Sequence, residues 1–227
     1  MGKCFTESNL PTGAMAVVGL TWEKALEFCS GSEVELACHN AYDLVAISGA
    51  KQAVLGMVER MKKEDLFTRV FDTGNLASHS KYMLLIYERV LRDISTVIPN
   101  PKPLTKRWIS TSVKLNNNEQ PTTENREVLC SGEYYANNLR NVVRFYDALK
   151  QIPDGAVTIE VSPNGILTRA ILKRALPNCK MLVIASSDED NGIQTLCDCL
   201  DSLRTLGVDV KNTESISSLV TAVSFST

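Results

Sequence analysis

An α/β fold built in two parts is what this sequence predicts, and three observations predict it. Apolar runs and amphipathic stretches between residues 13 and 74 follow the order strand, helix, strand, strand, helix, strand. Beyond residue 141, helical and strand-like segments alternate, the pattern of a parallel sheet covered by helices. Hydrophobic residues make up 44% of 227 positions, enough to bury a sizeable core.

Ala14–Val18 opens the first part as a short apolar run between Gly13 and Gly19, bounded as a buried strand is. Thr21 can cap the helix that follows, with Glu23 in its first turn. Trp22, Ala25, Leu26 and Cys29 recur at helical spacing, and Ser30-Gly31-Ser32 stops the helix. Glu33–Cys38 and Asp43–Ser48 read as strands joined by His39-Asn40-Ala41-Tyr42, a connection of hairpin length. Ala50–Lys63 is a second amphipathic helix, with Val54, Met57, Val58 and Met61 inward. Leu66–Phe71 completes the set, and the order is that of a ferredoxin-like βαββαβ unit over residues 13–74.

The second part spans 75–227, with 1–12 expected as a linker. Lys81–Ile98 is helical by pattern, its buried side being Leu84, Leu85, Val90, Leu91 and Ile94. Asn100-Pro101-Lys102-Pro103 ends it, because proline restricts its predecessor and cannot continue the ladder. Arg107–Ser112 reads as a short strand and Asn116–Asn125 as a polar surface loop. Then come helix Asn141–Lys150, strand Val157–Val161, helix Ile166–Leu176, strand Lys180–Ile184, helix Ile193–Leu206 and strand Val208–Val210.

Composition narrows the function classes. A net charge of −2 argues against a binder of polyanions, so no nucleic acid is expected. Phe71 is the lone aromatic of the strand cores, whereas an RNA-recognition sheet needs several aromatic residues for base stacking. No apolar run can span a bilayer, and no charged-then-apolar leader follows Met1, so a cytoplasmic protein away from membranes is expected. Seven cysteines are an odd number set mostly in periodic apolar segments, which suits reduced thiols. Cys38-His39 and Cys197-Asp198-Cys199 lack the paired spacing of a metal site, so no metal is expected.

Several stretches carry a family resemblance. Gly13–Leu20, Cys38-His39-Asn40 with Ile47-Ser48-Gly49, and Leu76-Ala77-Ser78-His79-Ser80 stand in order along the chain. Arg107-Trp108-Ile109-Ser110-Thr111-Ser112, Asn138–Phe145 and Glu160–Leu167 follow them. Together they resemble the acyltransferase (malonyl/acetyl transferase) domain of animal type I fatty acid synthases, and also that of polyketide synthases. The resemblance covers the C-terminal portion of such a domain. It implies an α/β-hydrolase-like core carrying the ferredoxin-like unit, and transfer of an acyl group from a coenzyme A thioester to the phosphopantetheine of an acyl carrier protein. No bound cofactor is implied. The partners implied are acyl-CoA, the carrier protein and the rest of a multidomain synthase, with dimerisation left open.

In this family a serine on a Gly-His-Ser-x-Gly elbow carries the acyl group and a histidine serves as its base. His79 takes the base position, Ser78 lies beside the acyl group, and the backbone carbonyl that orients the ring is expected at Arg144. No Gly-x-Ser-x-Gly occurs in these residues, so the chain as given is expected to be inactive alone. The family's carboxylate-binding arginine aligns with Met1, and Asn164 stands where the polyketide pattern has histidine. Polyketide enzymes carry phenylalanine before the histidine when malonyl-selective and serine when methylmalonyl-selective, so Ser78 leaves the acyl choice open between the two. The alternative is a non-catalytic acyltransferase-like protein that binds acyl carrier or partner proteins.

Overall fold

The alternation read between residues 13 and 71 is present as six elements, in a computed structural model that describes residues 1–112, 128–163, 165–184 and 192–210. The Asn116–Asn125 loop and Asn164 lie outside the described residues. The chain divides into two compact units, Met1–Gln151 and Ile152–Thr227, so residues 75–151 group with the first sheet.

In the first unit, β1 (Gly13–Val18), β2 (Val34–Ala41), β3 (Leu44–Ala50) and β4 (Thr68–Phe71) form one sheet in the order β2-β3-β1-β4. Every neighbouring pair is antiparallel. Helices α2 (Trp22–Cys29) and α3 (Lys51–Lys63) intervene at the places their periodicity indicates, and Thr21 caps α2 by accepting from the Lys24 amide at 3.4 Å. Because strand side chains alternate between faces, Ala14, Ala16, Val18, Val45 and Ile47 share one face, where they are buried with Val54, Val58 and Met61 of α3. Met15, Ala37 and Ala46 form a smaller buried group.

The β2–β3 hairpin is tighter than expected. Register shifts between Leu36 and Cys38 and between His39 and Ala41 let β2 continue through the expected loop. Each bulge absorbs one extra residue, leaving only Tyr42 and Asp43 between the strands.

The rest of the unit is helical. A 3₁₀ turn at Lys81–Met83 leads into α4 (Leu84–Val97). Its buried side is Ile86 and Val90, not Leu84 and Leu85, which are 52% and 65% exposed. Leu84 and Leu85 lie about 120° and 140° around the helix from Val90, whereas Ile86 at i, i+4 spacing shares its side. Residues 1–12, expected as a linker, hold α1 (Gly2–Thr6), whose Cys4 is buried with Met83, Ile86 and Val90. The expected strand Arg107–Ser112 is irregular instead. Of the expected helix Asn141–Lys150 only Phe145–Leu149 is helical, as the short α6, and an unexpected α5 (Gly132–Arg140) precedes it. Ser131 is the signal for α5, since its hydroxyl accepts from the Tyr134 amide at 3.2 Å and caps the helix.

The second unit pairs β5 (Val157–Glu160) with β6 (Lys180–Val183) in parallel, as its alternating pattern implies. A π-helical segment Thr168–Leu172 and α7 (Lys173–Ala175) connect them, and α8 (Gly192–Thr205) follows. Glu160 is buried at the end of β5 and anchors the connection, accepting from the amides of Leu167 at 3.0 Å and Thr168 at 2.6 Å. Burial pushes its carboxyl up, but the Ser162 hydroxyl, donating at 2.6 Å, together with those amides holds it below the usual range. Residues 208–210 carry no strand. None of the seven cysteines is paired. Among the described residues, no helix is long and apolar enough to cross a membrane.

Candidate active site

His79 occupies a turn that few residues adopt. Its φ is 59°, in the left-handed region, where histidine is tolerated better than branched or bulky residues. Three contacts determine that turn. The His79 amide donates to the Leu139 carbonyl at 2.9 Å. The buried Ser80 hydroxyl donates to the Ala77 carbonyl at 2.6 Å. The Lys81 amide donates to Oε2 of Glu35 on β2 at 3.0 Å. On the preceding side, Gly13 of β1 meets Ala77 so closely that a Cβ at residue 13 would collide with the Ala77 backbone. The Gly13 amide also donates to the Asn75 carbonyl at 2.7 Å.

The ring is held by the end of α5. Nδ1 of His79 lies 2.9 Å from the carbonyl oxygen of Asn141. A carbonyl only accepts, so Nδ1 carries the hydrogen and Nε2 keeps its lone pair. The last carbonyls of a helix have no partner within it. Leu139 and Asn141 therefore offer oxygens that the His79 amide and ring take up. Burial pushes the imidazole below its usual value of 6.5, while the carbonyls of Asn141 and Asn138 pull the other way. At neutral pH the ring is accordingly an uncharged base.

The orienting carbonyl differs from the expected one by three residues. Asn141 ends α5 in an extended conformation with ψ of 165°, which turns its carbonyl out of the helical ladder. Arg144 instead begins α6, where its carbonyl accepts from the Ala148 amide at 3.2 Å. The Arg144 guanidinium faces Asp147 at 3.8 Å. Between the two, Val143 bridges to β2, giving its amide to Ala37 and accepting from His39, each at 2.9 Å. That bridge anchors the segment that presents Asn141. Asn141, Leu139 and Glu35 act through backbone and sheet geometry that a residue pattern does not carry, although the Ser131 cap signals the helix ending at Arg140.

Ser78 immediately precedes His79 and is half-buried. The His39 ring packs between Trp22 at 5.1 Å and Tyr146 at 5.0 Å, tilted by 38° and 56° to them. Burial lowers its pKa too, against the pull of Asp147.

Both histidines therefore make stability rise with pH through the imidazole range. The unfolded chain takes up protons at the ordinary value, before the folded one does, so acidification favours unfolding. Thermal melting from about pH 7.5 to about pH 5.5 should show a falling midpoint, and His79→Gln should flatten the slope. An identical slope in the variant would refute the assignment of a depressed pKa to His79.

A family model described as acyl transferase domain matches residues 1–209. The highly reducing polyketide synthase xilA of Penicillium rubens is 30% identical over 229 residues, covering 89% of this chain and 9% of its own length. The reducing polyketide synthase BOA6 of Botryotinia fuckeliana is 32% identical over 165 residues, covering 68% of this chain and 6% of its own. The chain thus spans less than a tenth of these relatives. Among solved structures, the acyltransferase domain of the second module of the salinomycin polyketide synthase superposes with a TM-score of 0.70 at 22% identity, covering 92% of this chain and 47% of that one. The malonyl CoA-acyl carrier protein transacylase of Clostridium perfringens gives 0.66 at 18% identity, covering 93% and 64%. These structural likenesses show a shared α/β fold, and the match over residues 1–209 shows that the chain belongs to the acyl transferase domain family.

Proposed function

We propose that this chain forms the histidine-bearing part of an acyl-CoA:acyl carrier protein transacylase domain, within a multidomain synthase of fatty acid or polyketide type. The observation that carries the reading is His79, uncharged, with Nδ1 on the Asn141 carbonyl and Nε2 left to accept a proton. In this reading the four-stranded sheet is the ferredoxin-like subdomain, and β5 and β6 belong to the α/β-hydrolase-like core. The synthases named among the relatives support a polyketide setting, and the resemblance at Arg107–Ser112 supports a fatty acid synthase setting.

The serine nucleophile comes from outside these 227 residues, which hold no Gly-x-Ser-x-Gly. Nε2 takes the serine proton as oxygen attacks the thioester carbon, and returns it to the departing coenzyme A sulfur. In the second half the phosphopantetheine thiol gives its proton to Nε2, its sulfur takes the acyl group, and serine recovers its proton. Ser78, next to the base, borders the acyl group and leaves room for a methyl branch that phenylalanine would crowd. A cytoplasmic location suits substrates of this kind.

The test uses labelled malonyl-coenzyme A. The 227-residue chain alone should take up no covalent label, whereas a polypeptide joining it to an elbow serine should form the acyl-serine and pass it to carrier protein. In that polypeptide Ser78→Phe should shift the ratio of malonyl to methylmalonyl transfer toward malonyl by about tenfold, the usual worth of one methyl. A stable serine ester on the chain alone would favour a different nucleophile. Absence of transfer by the joined polypeptide would favour the non-catalytic, carrier-binding alternative.

A further inference from the structure

We infer that Glu35 on β2 is a positioning residue for His79, holding the base in its left-handed turn from the opposite side to α5. The inference concerns the conformation of the ring, and its catalytic consequence rests on the reading of His79 as a base. Glu35 is the second residue of the sheet edge strand and is half-buried, with its carboxylate directed at the backbone two residues after His79. The Lys81 amide it accepts from opens the 3₁₀ turn, and Ser80, just before, caps that turn by accepting from the Tyr82 amide at 3.4 Å. The amides at the start of such a turn have no partners within it, so a carboxylate satisfies one of them and gains a charge-assisted bond.

Glu33, just before β2, reinforces the attachment from outside. It meets Lys81 Nζ at 2.9 Å and accepts from the Tyr82 hydroxyl at 3.3 Å. Those contacts hold its carboxyl below the usual range, the hydrogen bond from Lys81 first among them. Glu33 is exposed, and exposed ion pairs contribute little. The half-buried backbone bond at Glu35 is the stronger of the two restraints.

The consequence follows from the geometry of the turn. A histidine at φ 59° needs its surroundings to maintain a sparsely populated conformation. The amide bond to Leu139 and the ring bond to Asn141 both restrain it from α5. Glu35 supplies the restraint from the sheet, through the residue at which the chain leaves the turn. Without it, Lys81 can swing away, the φ of His79 can relax, and the bond from Nδ1 to Asn141 opens. The ring then samples both tautomers, and water reaches it.

Nitrogen NMR of the 227-residue chain with labelled histidine tests this directly, because only His39 and His79 contribute. Wild type should show one His79 tautomer, with hydrogen on Nδ1. Glu35→Met, which keeps the apolar stem and removes the acceptor, should give a mixture of tautomers and a His79 titration midpoint moved toward the ordinary value. Glu35→Gln, which retains a carbonyl acceptor for the Lys81 amide, should restore the wild-type spectrum, and Glu33→Ala should change it little. In a polypeptide with the elbow serine, Glu35→Met should lower kcat about tenfold with KM nearly unchanged. A variant that loses melting temperature while keeping the His79 tautomer and midpoint would overturn the proposal and leave Glu35 as packing only. Should Glu35→Met fail to fold, hydrogen exchange of wild type decides: a protected Lys81 amide supports the bond, and exchange at an open-loop rate overturns it. If His79→Ala leaves acyl transfer intact while Glu35→Met still mixes the tautomers, the catalytic reading fails and the positioning inference stands.

Discussion

Replacing His79 by alanine, in a polypeptide that supplies the elbow serine, is expected to lower acyl transfer by about 10²- to 10⁴-fold, the usual worth of a positioned general base. Only kcat should fall, since in the proposed reading the imidazole acts on a proton and not in holding the thioester beforehand. Nδ1 is committed to the Asn141 carbonyl, so Nε2 is the nitrogen left to accept a proton, and no other described imidazole lies in this turn. His39 packs between the tilted rings of Trp22 and Tyr146 and cannot substitute for it. His39→Gln should therefore leave transfer within about twofold of wild type, because it changes no group at the base. Stopped assays with labelled malonyl-coenzyme A measure both variants, and equal losses in the two would count against the assignment.

Ile47→Ala is expected to cost about 3–4 kcal/mol, within the range for emptying a fully buried aliphatic site. Ile47 is 0% exposed at the centre of the first sheet, paired in register with Ala16 on one side and Leu36 on the other. Ile47 packs in the buried cluster with Val54, Val58 and Met61 of α3, and β3 is held between β1 and β2, so little can move in to fill the cavity. The melting temperature should drop by roughly 10 °C. Leu85→Ala, at a residue 65% exposed on α4, should change stability by less than about 0.5 kcal/mol. Chemical denaturation of the two variants checks the pair, and a larger loss for Leu85 would mean that α4 buries the face its sequence pattern suggests.

Comparison of the two leucines with the sheet explains what was legible. Strands have a side-chain period of two, and the run Ala14–Val18 carries its own boundaries in Gly13 and Gly19, so local residues suffice to place it. Helix α3 likewise announces Val54, Met57, Val58 and Met61 as its buried side. Leu84 and Leu85 turn outward because they lie about 120° and 140° around α4 from Val90, outside the stripe that Ile86 and Val90 share at i, i+4 spacing, so the expected apolar set does not form one helical face. The helix expected at Asn141–Lys150 is shortened for a different reason. The apolar pattern there continues through the break at Asn141, and the break follows from the bridge between Val143 and Cys38, which lies about a hundred residues away along the chain.

The sequence by itself determined the order of elements between residues 13 and 71, the parallel pairing implied after residue 152, the family, and His79 as the residue to examine. Each rests on information held within a few residues: period, caps, turn formers and short motifs. Only the tertiary structure decided which carbonyl meets the imidazole, why Asn141 rather than Arg144 supplies it, and that Glu35 reaches the far side of the same turn. A backbone carbonyl is chemically the same at every position, so no residue type announces which one faces a ring. That choice is made by where α5 ends, by the bridge that pins Val143 to β2, and by the strand that brings Glu35 to Lys81.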